Sequence, residues 1–489
     1  MKKFKLFLAA FVATLFAFAG VKASAYTITI NNVSTGHTYE AYQVFGGKLY
    51  KGDGATTPTL SDIDWGTGVN AFTYDGESDA AKIAEKLSDQ AFDSETAKDF
   101  AKEASKHLAT AATSEESTSD TVELTVGAPG YYLVKDKDGS QDSKNGAYTR
   151  FMLQVTGAES IEVKNDVPTV QKKVKENSNS KWQDAADYDM GDTVPFQLTA
   201  ELPKKRVDDY NHYYVEFTDT LSAGLTFKEI TKVTADGTTL TKDQYQVTTT
   251  EKDGKTILSI VITDVKAVAN ITQDENKVVV EYNATLNENA VIGSAGNTND
   301  VELTYSNNPN ATGDGQSKPA DTGKTPKDTV KVFTYQTIIN KVDQDGNKLK
   351  GADFTLYKDG KEFKPVTANE ATTFTFKGLD AGKYVLKETK TPDGYNTIKP
   401  IEFTIDADYD KEADDPQLTK LSGDVTSGVA QFDANKADGS LKADIVNRQG
   451  SLLPSTGGMG TTILYVVGSI LVLVAAILLI TKKRMDAAK

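Results

Sequence analysis

The sequence predicts an all-β chain: tandem immunoglobulin-like β-sandwich domains, a helical insertion in the first domain, and one C-terminal transmembrane helix. Three observations predict this. Thr, Val and Tyr recur in alternating apolar and polar order, punctuated by turn dipeptides such as Asp345-Gly346, over most of the 489 residues. Between Asp79 and Leu108 the rhythm changes: Ile83 and Leu87, then Phe100, Ala104 and Leu108, fall at helical spacing, with Asp79 and Ser94 placed as N-caps. Thr461 to Thr481 is almost wholly apolar and long enough to cross a bilayer as a helix, and Lys482-Lys483-Arg484 follow it as a positive stop.

Taken in order, residues 1–25 have the layout of a secretory signal peptide. Lys2, Lys3 and Lys5 precede the apolar run Leu6 to Val21, and Ala23-Ser24-Ala25 offers small residues for cleavage. A first domain is expected over 26–166, opening on the alternating Tyr26 to Ile30 and resuming its sheet from Val122 to Val155 after the helical insertion. A second is expected over 167–308. Its strand candidates are Val170–Val174, Val194–Leu198, Tyr214–Asp219, Ile257–Thr263, Val278–Thr285 and Val301–Tyr305, a sandwich pattern. Residues 309–329, rich in Asn, Pro, Gly, Asp and Lys, read as a linker. A third domain occupies 330–450, with hairpin turns at Asp345-Gly346 and Asp359-Gly360. Residues 451–489 hold a Leu453-Pro454-Ser455-Thr456-Gly457 pentapeptide, the apolar span and the basic tail.

Composition narrows the function. The formal net charge is −15, and because residues 1–25 carry +4 and residues 458–489 carry +3, the stretch between them carries −22. Such a surface repels nucleic acid and anionic membranes, so no nucleic-acid partner is expected. Cysteine is absent, so stability outside the cell must come from cores or from another covalent link. His37, His107 and His212 match no metal-ligand spacing, and no GxSxG, HExxH or phosphate-binding loop occurs. No metal, no cofactor and no turnover of an outside metabolite are expected. Asp406-Ala407-Asp408-Tyr409-Asp410 reads as a solvated turn, with a calcium loop as the alternative.

Chemistry is concentrated in the third domain. Lys341 shares a strand face with Ile339, Glu388 with Tyr384 and Leu386, and Asn447 with Ala443 and Ile445. Period-two alternation therefore aims an amine, a carboxyl and a carboxamide into one apolar interior. Burial lowers the lysine pKa and raises the carboxyl pKa. A neutral amine could then attack the asparagine carbonyl while the acid polarises it, releasing ammonia and leaving an amide. Three partly solvated, unlinked edge residues are the alternative.

These stretches carry a resemblance. Asn340-Lys341-Val342-Asp343, Gly351-Ala352-Asp353-Phe354-Thr355-Leu356-Tyr357 and Tyr384-Val385-Leu386-Lys387-Glu388-Thr389 resemble the collagen-adhesin B-type domain of Gram-positive pilins, the last being similar to its E-box. The resemblance implies an isopeptide between Lys341 and Asn447 with Glu388 as the catalytic acid. Pro168-Thr169-Val170-Gln171-Lys172-Lys173-Val174 and Asn299-Asp300-Val301-Glu302-Leu303-Thr304-Tyr305 resemble the first and last strands of the middle domain of streptococcal-type backbone pilins. By that pattern Lys172 would bond to Asn299, with Asn307 as a second acceptor of the same parity. Lys173 points the other way and is expected to be solvated. Asp219, following Val215 and Phe217 on one face, is the expected acid and Glu281 its rival. In the first domain Pro129-Gly130-Tyr131-Tyr132-Leu133-Val134-Lys135 resembles an E-box strand without the carboxylate, and no internal bond is expected there.

The C-terminal segment resembles the sorting signal of Gram-positive surface proteins. That implies cleavage by a sortase between Thr456 and Gly457 and transfer of the threonine carbonyl to an amine. Backbone pilins usually supply that amine from a Tyr-Pro-Lys-Asn motif before the second domain. Here Ile161-Glu162-Val163-Lys164-Asn165-Asp166 keeps only its last two residues. Lys164 is the expected linking lysine, with Lys173 and Lys175 as alternatives. The implied partners are sortase, identical pilin subunits, minor pilins and peptidoglycan, on the surface of a Gram-positive cell. The alternative is a monomeric wall-anchored adhesin or a minor pilin binding a host surface ligand.

Overall fold

A computed structural model describes residues 26–52, 58–88, 90, 94–141, 144, 146–163, 167–203, 207–269, 276–309, 311–366, 372–450 and 459–486. The signal peptide, Lys164 and Leu453 to Gly457 lie outside the described residues. Alternation drives the architecture. Thr193–Glu201, for example, buries every second side chain (Val194, Phe196, Leu198, Ala200) and turns the others outward.

In the first domain a sheet of Thr121–Val126, Tyr26–Asn31 and Glu159–Glu162 faces one of Thr59–Trp65, Thr38–Tyr50, Gly130–Asp136 and Arg150–Val155. The helical insertion forms two short helices, Ala80–Ser88 and Glu95–Ala104. Asp79 and Ser94 cap them: Asp79 Oδ1 accepts from Lys82 N at 3.0 Å and Ser94 Oγ from Ala97 N at 3.2 Å. Phe100 packs between Phe45 and Phe72, so the helices cover the outer face of a sheet whose inner face closes the sandwich.

The middle domain packs two large sheets around one core. One runs Trp182–Gln183, Thr169–Lys175, Thr193–Glu201, Lys277–Leu286, Leu225–Ala235, Thr238–Thr239. The other runs Ala185–Asp187, Asp328–Phe333, Asn297–Ser306, Val215–Leu221, Lys255–Ile262, Gln246–Lys252. Four of the six predicted strands lie within these elements, and Tyr214–Asp219 and Ile257–Thr263 each overrun theirs by one residue.

The stretch read as a linker differs. Thr322–Lys324 pairs with Asn297–Ser306, and Asp328–Phe333 is an inner strand of the middle sheet, with Val330, Val332 and Phe333 fully buried. The sheet edge left by Asn297–Ser306 captures this polar-flanked segment. The C-terminal sandwich therefore starts at Tyr335, after the single buried residue Thr334. Its sheets are Thr373–Leu379, Tyr335–Val342, Ser440–Val446, Asp433–Asn435, and Lys361–Val366, Asp353–Lys358, Gly382–Lys390, Ile401–Tyr409, Leu418–Ser427.

The Asp406–Asp410 run is strand rather than turn up to Tyr409. Asp406 is paired with Lys420, and Tyr409 is buried with its hydroxyl donating to Glu176 of the middle domain at 2.8 Å. Around that contact Asp187, Asp189 and Asp380 are also buried. Lys358 bridges Asp189 and Asp380, and Asn177 donates to Asp380 at 2.9 Å. Gly293 meets Gly439 so closely across the same junction that an added Cβ would lie 2.5 Å from the Gly439 nitrogen.

The C-terminal helix Met459–Asp486 contains an apolar stretch, Leu464–Lys483, of mean hydropathy 2.8 and long enough to cross a membrane.

Candidate functional site

In the middle domain four polar side chains meet in a dry interior: Lys172, Asp219, Tyr282 and Asn299 are each 0% exposed. Lys172 comes from Thr169–Lys175 and Tyr282 from Lys277–Leu286, both in one sheet, while Asp219 and Asn299 come from adjacent strands of the facing sheet. There Asp219 lies opposite Val301 and Leu221 opposite Asn299, which makes Asp219 and Asn299 diagonal neighbours on one face. Lys172 Nζ donates to Asp219 Oδ1 and, at 3.1 Å, to the Tyr282 hydroxyl. That hydroxyl donates to Asp219 Oδ2 and accepts from Asn299 Nδ2 at 2.6 Å. Asn299 Oδ1 makes no hydrogen bond.

Burial dominates the electrostatics of this group. It pushes the Lys172 amine down and the Asp219 carboxyl up, against their mutual attraction, so both are driven toward neutral forms. A neutral amine is a nucleophile and a protonated carboxyl can polarise or protonate an amide. The arrangement has the components of an amine–carboxamide condensation.

The rival residues lie elsewhere. Glu281 points out of the core and accepts from Gln197 at 3.0 Å. Asn307 lies past the end of its strand, against the first domain, where its Nδ2 donates to Gln141 O at 3.3 Å and its carbonyl accepts from Tyr148 N. Lys173 is half-buried rather than free in solvent: it pairs with Asp184 at 2.6 Å, because the strand bearing Ala185–Asp187 folds back over that face. Lys175 lies over the Trp182 ring at 5.7 Å.

The C-terminal domain assembles its set differently. Lys341 and Asn447 are fully buried, on or just beyond adjacent parallel strands in which Lys341 pairs with Ile445. Lys341 Nζ donates to Ile445 O at 2.8 Å and Val342 O at 3.0 Å. Glu388 reaches across from the facing sheet, its Oε2 accepting from Asn447 Nδ2 at 3.1 Å, Ile398 N at 3.1 Å and Thr391 Oγ1 at 3.3 Å. Glu388 Oε1 and Asn447 Oδ1 make no hydrogen bond. Burial lowers the Lys341 pKa to about 8, the nearby Glu388 charge opposing it. Amine and carboxamide thus share a sheet here, whereas in the middle domain they face each other across the sandwich.

Tyr282 is absent from the sequence reading. Its signal was parity: it shares the inward face of Val278, Val280 and Ala284, and so looks into the interior that holds Lys172. In the first domain, Lys135 pairs with Asp138 at 2.6 Å, and buried His37 bonds Asp136 at 3.0 Å.

Comparison with known proteins agrees with this organisation. Residues 190–309 match the family described as Gram-positive pilin backbone subunit 2, Cna-B-like domain, and residues 336–417 match the SpaA prealbumin-like fold domain. The trypsin-resistant surface T6 protein of Streptococcus pyogenes serotype M6 is 26% identical over 388 residues, spanning 66% of this chain and 70% of that protein. Among solved structures, the T6 backbone pilin of serotype M6 Streptococcus pyogenes, which is described as a modular three-domain structure, superposes with a TM-score of 0.55 at 19% identity. It covers 88% of this chain and 100% of its own. The full-length major pilin SpaD of Corynebacterium diphtheriae gives 0.51 at 17% identity, covering 89% and 100%. At those identities the structures speak for the fold.

Proposed function

The chain belongs with the Gram-positive backbone pilins, and on that premise we propose that it is a pilus shaft subunit, polymerised covalently by sortase and stiffened by two self-formed isopeptides. The observation that carries the isopeptide reading is the repetition, in successive domains, of a buried lysine and a buried asparagine with a carboxyl hydrogen-bonded to one of them: Asp219 to Lys172, Glu388 to Asn447. Lys172 and Lys341 are the nucleophiles, Asn299 and Asn447 the acceptors, and Asp219 and Glu388 the acids. In each case the uncharged amine attacks Cγ, the acid stabilises the developing charge, and ammonia leaves. Folding supplies the effective concentration that makes an unactivated amide reactive. Each domain does this once, so the chain is a structural protein rather than an enzyme.

Assembly uses the two segments outside the described residues. Sortase would cut Leu453-Pro454-Ser455-Thr456-Gly457 after Thr456, while the apolar helix and basic tail hold the precursor in the membrane. The threonine carbonyl would pass to Lys164 of another subunit. Minor pilins at the ends and peptidoglycan at the base complete the partners, on the cell surface.

The test is an immunoblot of wall material released by muramidase and boiled in detergent, for wild type and Lys164→Ala. A ladder of very large species that collapses to monomer in the variant is the expected result. A persisting ladder moves the linkage to another lysine. A single monomer-sized band in wild type refutes the shaft assignment.

A further inference from the structure

The Tyr282 hydroxyl touches all three members of the middle-domain set: it lies 3.1 Å from Lys172 Nζ, 2.6 Å from Asn299 Nδ2, and donates to Asp219 Oδ2. Asp219 itself bonds Lys172 and Tyr282 and has no hydrogen bond to Asn299. In the C-terminal domain the acid reaches the carboxamide directly, Glu388 Oε2 accepting from Asn447 Nδ2 at 3.1 Å. Aspartate is one methylene shorter, and in the middle domain a phenol occupies the gap. The ring is held in place by Phe196, with centroids 5.3 Å apart.

We infer that Tyr282 is a catalytic proton relay in the middle domain, carrying a proton from the Asp219 carboxyl to the amide nitrogen that leaves Asn299. This rests on the reading that Lys172 and Asn299 condense. The balance is closed. Lys172 Nζ forms a bond to Asn299 Cγ and gives one proton to Asp219 Oδ1. As Cγ becomes tetrahedral both Tyr282 bonds reverse: the hydroxyl turns from Asp219 Oδ2 to Nδ2 and passes its proton there, while the neutral Asp219 carboxyl gives its Oδ2 proton to the Tyr282 oxygen. The Cγ–Nδ2 bond breaks and ammonia departs, leaving Asp219 and Tyr282 as they began. The amine and carboxamide become a secondary amide and ammonia, with no net proton taken up. Burial and the adjacent Asp219 hold the Tyr282 proton on its oxygen well above the usual phenol range, so the group passes protons without resting as phenolate. A hydroxyl is the part of this side chain that the chemistry needs, and phenylalanine removes it alone.

The test is Tyr282→Phe in the chain spanning 26–450. After a pulse of synthesis, intact mass reports ammonia lost, and proteolytic mapping reports the Lys172–Asn299 and Lys341–Asn447 cross-linked peptides. Loss of a general acid–base group predicts slowing of the middle-domain bond on the order of a hundredfold or more, with the C-terminal bond forming at its normal rate as the internal control. Equal rates in variant and wild type overturn the relay and leave the isopeptide reading standing. No Lys172–Asn299 peptide in wild type overturns that reading itself. Tyr282→Phe is also placed in an Asn299→Ala background, where no bond can form. Unchanged melting there supports a chemical role, and a marked drop shows that the hydroxyl is structural and overturns the relay.

Discussion

Asn299→Ala removes the acceptor of the middle-domain bond while leaving Lys172 paired with Asp219 and Tyr282 still donating to Asp219. The link between Lys172 and Asn299 closes a loop of roughly 130 residues, and the chain-entropy argument used for disulfides assigns a loop of that size about 5 kcal/mol. Loss of a buried amide hydrogen bond adds about 1 kcal/mol. For a domain of this size each kcal/mol moves Tm by roughly 2–4 °C, so the transition should fall by about 12–24 °C. Scanning calorimetry of the chain spanning 26–450 measures the transition, and intact mass shows one fewer ammonia lost than in wild type. Melting within about 3 °C of wild type with an unchanged mass deficit would refute both the pairing and the ledger behind it.

Glu388→Ala should abolish the Lys341–Asn447 cross-linked peptide and leave the middle-domain bond intact, as read by the same mapping; appearance of the peptide at the normal rate would reassign the acid. At the junction of the middle and C-terminal domains, mutual burial raises the carboxyl pKa values of Asp187 and Asp380, to about 6 and about 9. The folded state then holds protons that the unfolded chain has released, so the stability these two carboxyls contribute is fully present below about pH 4 and is lost as pH rises toward 9. Asp187→Asn should flatten that slope and raise Tm at pH 8, which a melting series across pH would show. Gly293→Ala has no room at Gly439 and adopts a φ of +92 poorly, so it should loosen the junction and accelerate amide exchange at residue 293 and at Ser294, whose N–H groups donate to the Thr334 and Ala437 carbonyls. Ser94→Ala should cost about 1 kcal/mol by uncapping the second helix, measurable by denaturant titration, without affecting either cross-link.

Much of this was legible in the chain because strand parity is local. Alternation placed Lys341, Glu388 and Asn447 on inward faces, parity together with the family resemblance singled out Lys172, Asp219 and Asn299, and side-chain oxygens at Asp79 and Ser94 marked the helix starts. Parity does not say which inward groups meet. Asn307 has the same parity as Asn299, yet the first domain draws it away through Tyr148 and Gln141. Lys173 looked solvated because its partner, Asp184, belongs to a short segment that returns only after a turn. Gln246–Lys252 escaped the strand pattern because it is an edge strand exposed on both faces. Thr322–Lys324 and Asp328–Phe333 escaped because pairing with Asn297–Ser306, across a polar turn-rich stretch, makes them strands where their own flanks read as linker.

The two outer domains share one arrangement: the first and last strands lie side by side and parallel. Tyr26–Asn31 runs with Glu159–Glu162, and Tyr335–Val342 runs with Ser440–Val446. A fibre joined through Lys164 and Thr456 would carry its load through the C-terminal domain and grip that domain's pair at opposite ends, at the start of Tyr335–Val342 and the finish of Ser440–Val446. The ladder is then loaded in shear, and its hydrogen bonds bear the force together instead of unzipping one after another. Topology alone thus gives the C-terminal domain resistance to traction before any covalent bond forms, and a cross-link at Lys341 and Asn447 would sit at the end of the very ladder that carries the strain.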